Sequence, residues 1–515
     1  MKKVKLLGKF ALVMLALASF NGCTDLDENL YSEIETSNFL RNEEEVKAAV
    51  GAAYTRLYGM GNHGTYHSTQ EVNSGEVLIP QRGNDWYDGG QWLNTHRHIQ
   101  QGGEDCFNNS WNYLYGGVNT CNRLILQVQT AVDAGNLPAA TGATYLSELR
   151  GLRALFYYFL MDGFGNVPIV DKFDVPADFK PTNSSRVEVF NFIKNELNAI
   201  LPNLVRETGQ QTYGRFTYWA GQALRCKLAL NAGVYTGTND WDGAIAAADE
   251  IVNSGKFGLA PNYRDNFVTA NQFSPEMIMA VPYDKVFAQG FNLPQMTLHY
   301  QSQQTFNLQQ QPWNGYCAAT DFYNSYEDGD KRKANNFIAG PQFSSKGERI
   351  SDDAAEANDP DGKPLTFTPE INELEPNCLR QAGARIGKYE FETGATPNLS
   401  NDFPIFRYAD IWLARAEAKA RKAGDWSVAL EDVNVVRSRS AAPLTSIDEN
   451  SFLAERAREM FYEGTYRQDL IRFGKFHEPR GMRTAASAPH TAIWPIPKNQ
   501  INANPNLKQN PGYPQ

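Results

Sequence analysis

Apolar side chains recur three and four residues apart over two long stretches of the chain and lose that spacing between them. The first stripe follows Asn42, a capping amide, with Glu45 at the third helical position, and runs Val46, Ala49, Val50, Ala53, Tyr54 and Leu57. A second carries Phe107, Trp111, Leu114, Tyr115, Val118, Ile125 and Val128. A third carries Leu146, Leu149, Leu152, Leu155, Phe156 and Phe159, and stops at Gly163-Phe164-Gly165. Ser185 with Glu188 forms a capping box ahead of Val189, Ile193, Leu197 and Ile200. Further helices are predicted over 219–232, 241–252, 408–423 and 426–436, and a charged one from Asn450. Aromatic residues at these spacings belong to a core.

Two of the pairs echo one another. Ala232-Gly233 precedes Asp240-Trp241 and Ala244, and Ala423-Gly424 precedes Asp425-Trp426 and Ala429. Each reads as a helix closed by glycine, then a helix opening on Asp-Trp, the form of degenerate TPR-like units stacked as a short solenoid. The expected fold is therefore mainly α. TPR-like helical pairs form a solenoid scaffold over 42–256 and 406–474, with a C-terminal tail over 475–515.

Between Phe257 and Phe406 the helical period dissolves into Pro, Gly, Asn and Gln, with brief strand-like runs such as Met277–Val281. Gln301 to Gln311 is glutamine-rich, and 351–362 is acidic and expected to be mobile. An irregular insertion of this length inside a scaffold is either functional or disordered. The expectation is a loop-rich, ligand-binding half over about 257–405, within a single domain spanning 23–515.

The N-terminus changes the picture of where this domain works. Lys2, Lys3, Lys5 and Lys9 precede an apolar run from Phe10 to Phe20 that is too short to span a bilayer, and Asn21-Gly22-Cys23 follows. This resembles a bacterial lipoprotein signal over residues 1–22, with Phe20 where leucine is usual. Cys23 is then the lipidated residue and the membrane anchor. The acidic run Thr24-Asp25-Leu26-Asp27-Glu28 resembles the surface-export signal of Bacteroidetes lipoproteins. The formal charge of −10 over 515 residues argues against nucleic acid and mildly against an anionic polysaccharide. Cys106, Cys121, Cys226, Cys317 and Cys378 are scattered, with no C-x-x-C and no metal spacing, so a disulfide scaffold is not indicated.

Candidate chemistry lies in two loops. Arg82-Gly83-Asn84-Asp85-Trp86-Tyr87-Asp88-Gly89-Gly90-Gln91-Trp92 sets three large rings among glycines, carboxylates, an amide and a guanidinium, with no core period. Ring faces pack on the C–H patches of a pyranose while Arg82, Asn84 and Asp85 reach its hydroxyls. The opposing reading has the rings plugging the protein's own surface. A second cluster holds Trp313-Asn314-Gly315-Tyr316 and then Tyr323. The candidate glycan contacts are thus Arg82, Asn84, Asp85, Trp86, Tyr87, Trp92, Trp313, Tyr316 and Tyr323, with Trp86 and Trp313 expected to act as the platforms. His96 and His98 stand at strand spacing without a third metal ligand, and neither a metal nor a cofactor is implied.

The C-terminal half carries a family resemblance. Glu455, Arg456, Arg458 and Glu459 lead into Phe461-Tyr462-Glu463-Gly464-Thr465-Tyr466-Arg467-Gln468-Asp469-Leu470-Ile471-Arg472-Phe473, then Ile493-Trp494-Pro495-Ile496-Pro497 and Asn504 to Tyr513. With Glu148-Leu149-Arg150, Val167-Pro168, Arg407-Tyr408-Ala409-Asp410, Ala416-Glu417-Ala418 and the Cys23 start, these residues resemble the SusD/RagB family of nutrient-binding outer-membrane lipoproteins. The resemblance implies no catalysis. It implies a cell-surface glycan-binding lipoprotein, or a peptide-binding one as in some members, that delivers its ligand to a SusC-like TonB-dependent transporter. In this light Glu463 and Asp469 belong to an Arg–carboxylate network and do not form an acid–base pair. A helical glycoside hydrolase, and a protein-interaction scaffold with no sugar site, are the competing classes.

Overall fold

The computed structural model describes residues 40–355 and 363–514. The leader, Cys23 and the acidic run behind it lie outside the described residues, as does the 356–362 part of the acidic stretch.

The first stripe forms α1 (Glu43–Tyr54), with the Asn42 side chain accepting from the Glu45 backbone N–H at 3.0 Å and Val46, Val50 and Ala53 facing inward. The short helices α2 (Tyr66–Ser74) and α3 (Gln91–Arg97) flank the aromatic loop. The long helices α4 (Asp105–Asp133) and α5 (Ala139–Phe164) pack along one another across a short connection. Every residue of α5 from Gly151 to Phe164 is buried, which makes it the scaffold's central rod. It ends at Gly165, whose φ of +69° suits glycine.

α6 (Arg186–Ile200) opens on the Ser185–Glu188 capping box. α7 (Tyr218–Leu230), the short α8 (Ala232–Thr236) and α9 (Trp241–Val252) follow, then α10 (Tyr408–Ala423) and α11 (Leu430–Arg437). α9 packs on both α7 and α10, so the scaffold closes over the insertion that separates α9 from α10 in sequence. Asp240 caps α9 through the Gly243 backbone N–H, Asp425 caps the 3-10 turn Trp426–Ala429 ahead of α11 through the Ser427 N–H, and Gly424 closes α10 at φ +68°.

Gly233 does not close its helix. It lies inside α8, where a Cβ would meet Asn239 Oδ1 at 2.1 Å, and Gly237 at φ +78° ends that helix instead. Its conservation of space for Asn239, not a C-cap, is what the glycine supplies.

The insertion is tied at its base by an antiparallel ribbon. With β1 at Val77–Leu78, strand β2 (Met277–Val281) pairs with β4 (Phe403–Arg407), placing Met277 opposite Arg407 and Val281 opposite Phe403. β1 pairs in turn with β3 (Cys317–Ala318), joining the two aromatic loops. One continuous apolar core runs from α1 through α5 into the insertion and out to Trp494. The five cysteines are free and buried, as small hydrophobes.

The charged C-terminal motif becomes a buried lattice. α12 (Glu449–Met460) and α13 (Tyr466–Arg472) supply Arg456, which bridges Asp410 and Asp469 at 2.7 Å each, and Arg472, which holds Glu417 and Asp469. Arg407 meets Glu276 at 2.8 Å, Glu459 at 2.8 Å and Glu463 at 2.7 Å, and Lys388 takes the same Glu463. Glu463 and Asp469 are each occupied by two cations, so neither is free for acid–base work. The lattice fastens the insertion to the scaffold and fixes the frame against which the aromatic loops are held.

Candidate functional site

The two aromatic loops meet. Arg82 and Asp85 exchange backbone hydrogen bonds at 3.0 and 3.2 Å around Gly83-Asn84, so the first loop opens with a tight turn, and the Gly83 N–H is held by the Pro376 carbonyl at 2.9 Å. The chain then passes through Trp86 at φ +65° and Asp88 at φ +44°, left-handed conformations that cost energy outside glycine. Tertiary contacts hold them there. The Trp86 Nε1–H donates to the Trp313 carbonyl at 2.6 Å, and the Trp86 ring lies so close on Gly315 that a Cβ there would meet its Cζ2 at 2.3 Å.

Between the loops opens a cavity of about 340 Å³ lined by His63, Asp85, Trp86, Asp88, Tyr300 and Trp313. Trp313 gives it a half-exposed ring, 51 % accessible, whereas Trp86 forms a wall at 9 %. His63 sits edge-on to Trp86 at 5.3 Å, and its Nδ1 shares a hydrogen bond with the Tyr316 hydroxyl at 2.6 Å. Burial lowers the His63 pKa to about 4, so the imidazole is neutral at neutral pH. The Tyr300 hydroxyl donates to Asp85, and the Arg380 guanidinium covers the Tyr300 ring at 4.4 Å while binding Asp352. Burial and the Asp85 carboxylate push the Tyr300 pKa up, which keeps its hydroxyl a donor. The Asp88 carboxylate accepts from Trp92 Nε1 at 2.9 Å. The cavity thus offers flat apolar faces and two ordered carboxylates, with hydroxyl and imidazole groups between them.

Of the residues expected here from sequence, Asp85, Trp86 and Trp313 line the cavity. Asn84 and Tyr87 stand exposed on the same loop outside that lining.

Four others are placed elsewhere. Arg82 is 5 % exposed and spends its guanidinium on the carbonyls of Asn314, Leu379 and Ala382 and the sulfurs of Cys378 and Cys317, pinning three loops together and leaving no donor for a ligand. Trp92, at 1 %, faces the core from the first turn of α3. Tyr316, also at 1 %, backs His63 from beneath the cavity floor. Tyr323 packs on Phe337 at 5.1 Å, with the Lys333 ammonium over its ring, away from the cavity. The sequence reading omitted His63 and Tyr300. Tyr300 borders the glutamine-rich run, the one local signal near it, and nothing in Asn62-His63-Gly64 pointed to a site.

His98 stacks on Phe476 at 4.2 Å and bonds the Asn73 carbonyl, and His96 is buried. Among the described residues no group of three or more His, Cys, Asp or Glu is placed to hold a metal ion.

Comparison with known proteins adds the following. Residues 383–513 match the SusD family, and residues 26–230 match the family described as starch-binding, associating with outer membrane. The chain is 28 % identical over 421 residues to the starch-binding protein SusD of Bacteroides thetaiotaomicron, covering 71 % of this chain and 72 % of that protein. It is 22 % identical over 559 residues to the SusD-like protein P2 of Formosa agariphila, covering all of both. Among solved structures it resembles a laminarin-binding SusD-like protein, with a TM-score of 0.74 at 22 % identity over 92 % of this chain and 100 % of the other. It also resembles surface glycan-binding protein A of Bacteroides thetaiotaomicron in complex with laminarihexaose, with a TM-score of 0.71 at 22 % identity over 91 % and 99 %.

Proposed function

The chain belongs to the SusD family, and from that premise we propose that it is an outer-membrane, cell-surface lipoprotein that captures a glycan in the cavity between Trp86 and Trp313. The observation that carries this reading is the half-exposed Trp313 ring, which lines one cavity of about 340 Å³ together with Asp85 and Asp88. Such a volume suits a small-molecule site, and the ring takes a sugar's C–H face while the carboxylates accept from its hydroxyls. The neighbours' names point to starch and to laminarin as the first glycans to try.

Capture without cleavage fits the two carboxylates. Asp85 is bonded to Tyr300 and Asp88 to Trp92, from one short loop, whereas a glycosidase needs two carboxyls facing each other across the scissile bond. Delivery falls to a SusC-like TonB-dependent transporter, and anchoring to a lipid on Cys23.

Affinity electrophoresis against starch, laminarin and other neutral polysaccharides, with product analysis and a peptide panel alongside, tests the reading. Retarded migration with no released product is expected. Retardation by no glycan overturns it, sugar release points to a hydrolase, and binding of peptides alone assigns the peptide-binding branch. Delivery is checked separately by whether a much larger β-barrel protein co-purifies in gentle detergent.

A further inference from the structure

The described chain holds a second cavity apart from the aromatic one. A cleft of about 800 Å³ opens where the scaffold meets the insertion, between the 208–213 turn ahead of α7, the Lys256-Phe257 exit from α9, and the roots of β2 and β4. It shares no lining residue with the Trp86–Trp313 cavity.

Its chemistry alternates. At depth lies Asp402, 5 % exposed, whose carboxylate accepts from the Tyr213 hydroxyl at 2.5 Å and from the Tyr283 backbone N–H. Burial raises the Asp402 pKa to about 6. At the rim the Phe273 ring is 83 % exposed beside Gln272, with Phe257 and Gln210 also contributing to the lining. Neither glutamine amide makes a hydrogen bond to the described chain, so both face solvent as free donors and acceptors. Rings interleaved with free amides over a deep carboxylate match the alternating C–H faces and hydroxyls of a sugar chain.

We propose that this cleft is a second glycan-binding site, in which Phe273 stacks on a sugar ring while Gln210, Gln272 and the Asp402–Tyr213 pair bond hydroxyls of a neutral oligosaccharide. It rests on the glycan-binding reading above and adds a site that the aromatic loops do not form. A polysaccharide reaching both sites gains affinity by making its second contact intramolecular.

The test is isothermal titration of laminarihexaose, of a malto-oligosaccharide of equal length and of the peptide panel into the full protein, Trp313→Ala, and Phe273→Ala combined with Gln272→Ala. Both cleft positions are exposed, so that variant should melt like the parent. For whichever sugar binds, two molecules per chain are expected. The cleft variant should bind one, its lost site weakened at least tenfold, with the Trp313-dependent site unchanged. Asp402→Asn should weaken the same site and leave the other alone. One molecule per chain, lost in Trp313→Ala and untouched in the cleft variant, overturns the second site and leaves the first reading standing. Binding lost only in the cleft variant overturns the aromatic pocket and keeps the cleft. No heat from either sugar, with peptides binding in a way that depends on Phe273, overturns the glycan assignment of both. No heat from sugars or peptides overturns both sites.

Discussion

Gly315→Ala isolates the contact on which the aromatic pocket is built. The new methyl would lie 2.3 Å from Trp86 Cζ2 and 2.4 Å from Cε2, well inside contact distance, so the indole must move. The Gly315 φ is not in the left-handed region, so the cost comes from crowding and not from backbone strain. Overpacking of this kind costs about 1–3 kcal/mol. Displacing the indole also breaks the 2.6 Å bond to the Trp313 carbonyl, a further ~0.5–1.5 kcal/mol. The sum is roughly 2–4 kcal/mol, large against a typical total stability of about 5–15 kcal/mol. Because Trp86 walls the cavity and its partner carbonyl belongs to Trp313, glycan affinity should fall together with stability. Chemical denaturation and titration on the same preparation measure both. A variant with the parent's midpoint and affinity would refute the claim that Trp86 is clamped on Gly315.

Other outcomes follow from the same geometry. Trp92→Ala empties a core position at 1 % exposure and should cost about 3–5 kcal/mol of stability, read as a lowered denaturation midpoint. Arg407→Leu leaves Glu276, Glu459 and Glu463 short of a buried partner and should cost about 3–5 kcal/mol, while Glu392→Ala at the half-exposed Lys285 pair should cost under about 1 kcal/mol. Burial lowers the pKa values of His63, His96 and His299 to about 4, so the unfolded chain binds their protons first. Their contribution to stability is complete above pH ~6.5 and is lost as pH falls toward 4, where Glu417 and Glu455, held near 2 by arginines, begin a further loss. Denaturation midpoints flat between pH 4 and 7 would contradict this.

How far the sequence could be read depended on how local each feature is. Helices were legible because their stripes and caps lie within a turn or two, as at Asn42 and at the Ser185–Glu188 box. Gly233 was misread because its reason, room for Asn239, lies outside the helix. The acidic and basic residues of the C-terminal motif were visible as charges, and the resemblance pointed to a network among them. The Arg407 partner Glu276 stands 131 residues away, so no local spacing reveals the pair. The loops were the hardest part. Trp86, Trp92 and Trp313 have similar glycine- and amide-rich neighbours, yet their exposures are 9 %, 1 % and 51 %. Trp92 turns inward because it opens α3, and Trp86 does so because Gly315, far along the chain, leaves it a seat. Arg82 looked like a ligand donor for want of any local acceptor, and its acceptors are carbonyls of distant loops.

The central claim is that Trp313 is a sugar platform on a rigid frame. Its most direct test is one titration of the best-retarded glycan into the parent and Trp313→Ala, with melting temperatures recorded on both. Stacking on an aromatic is typically worth about 1–3 kcal/mol by analogy with base stacking, so affinity at that site should fall roughly tenfold or more. The half-exposed ring should leave melting nearly unchanged. Unaltered affinity, or a melting temperature that collapses with the ring, would contradict the account.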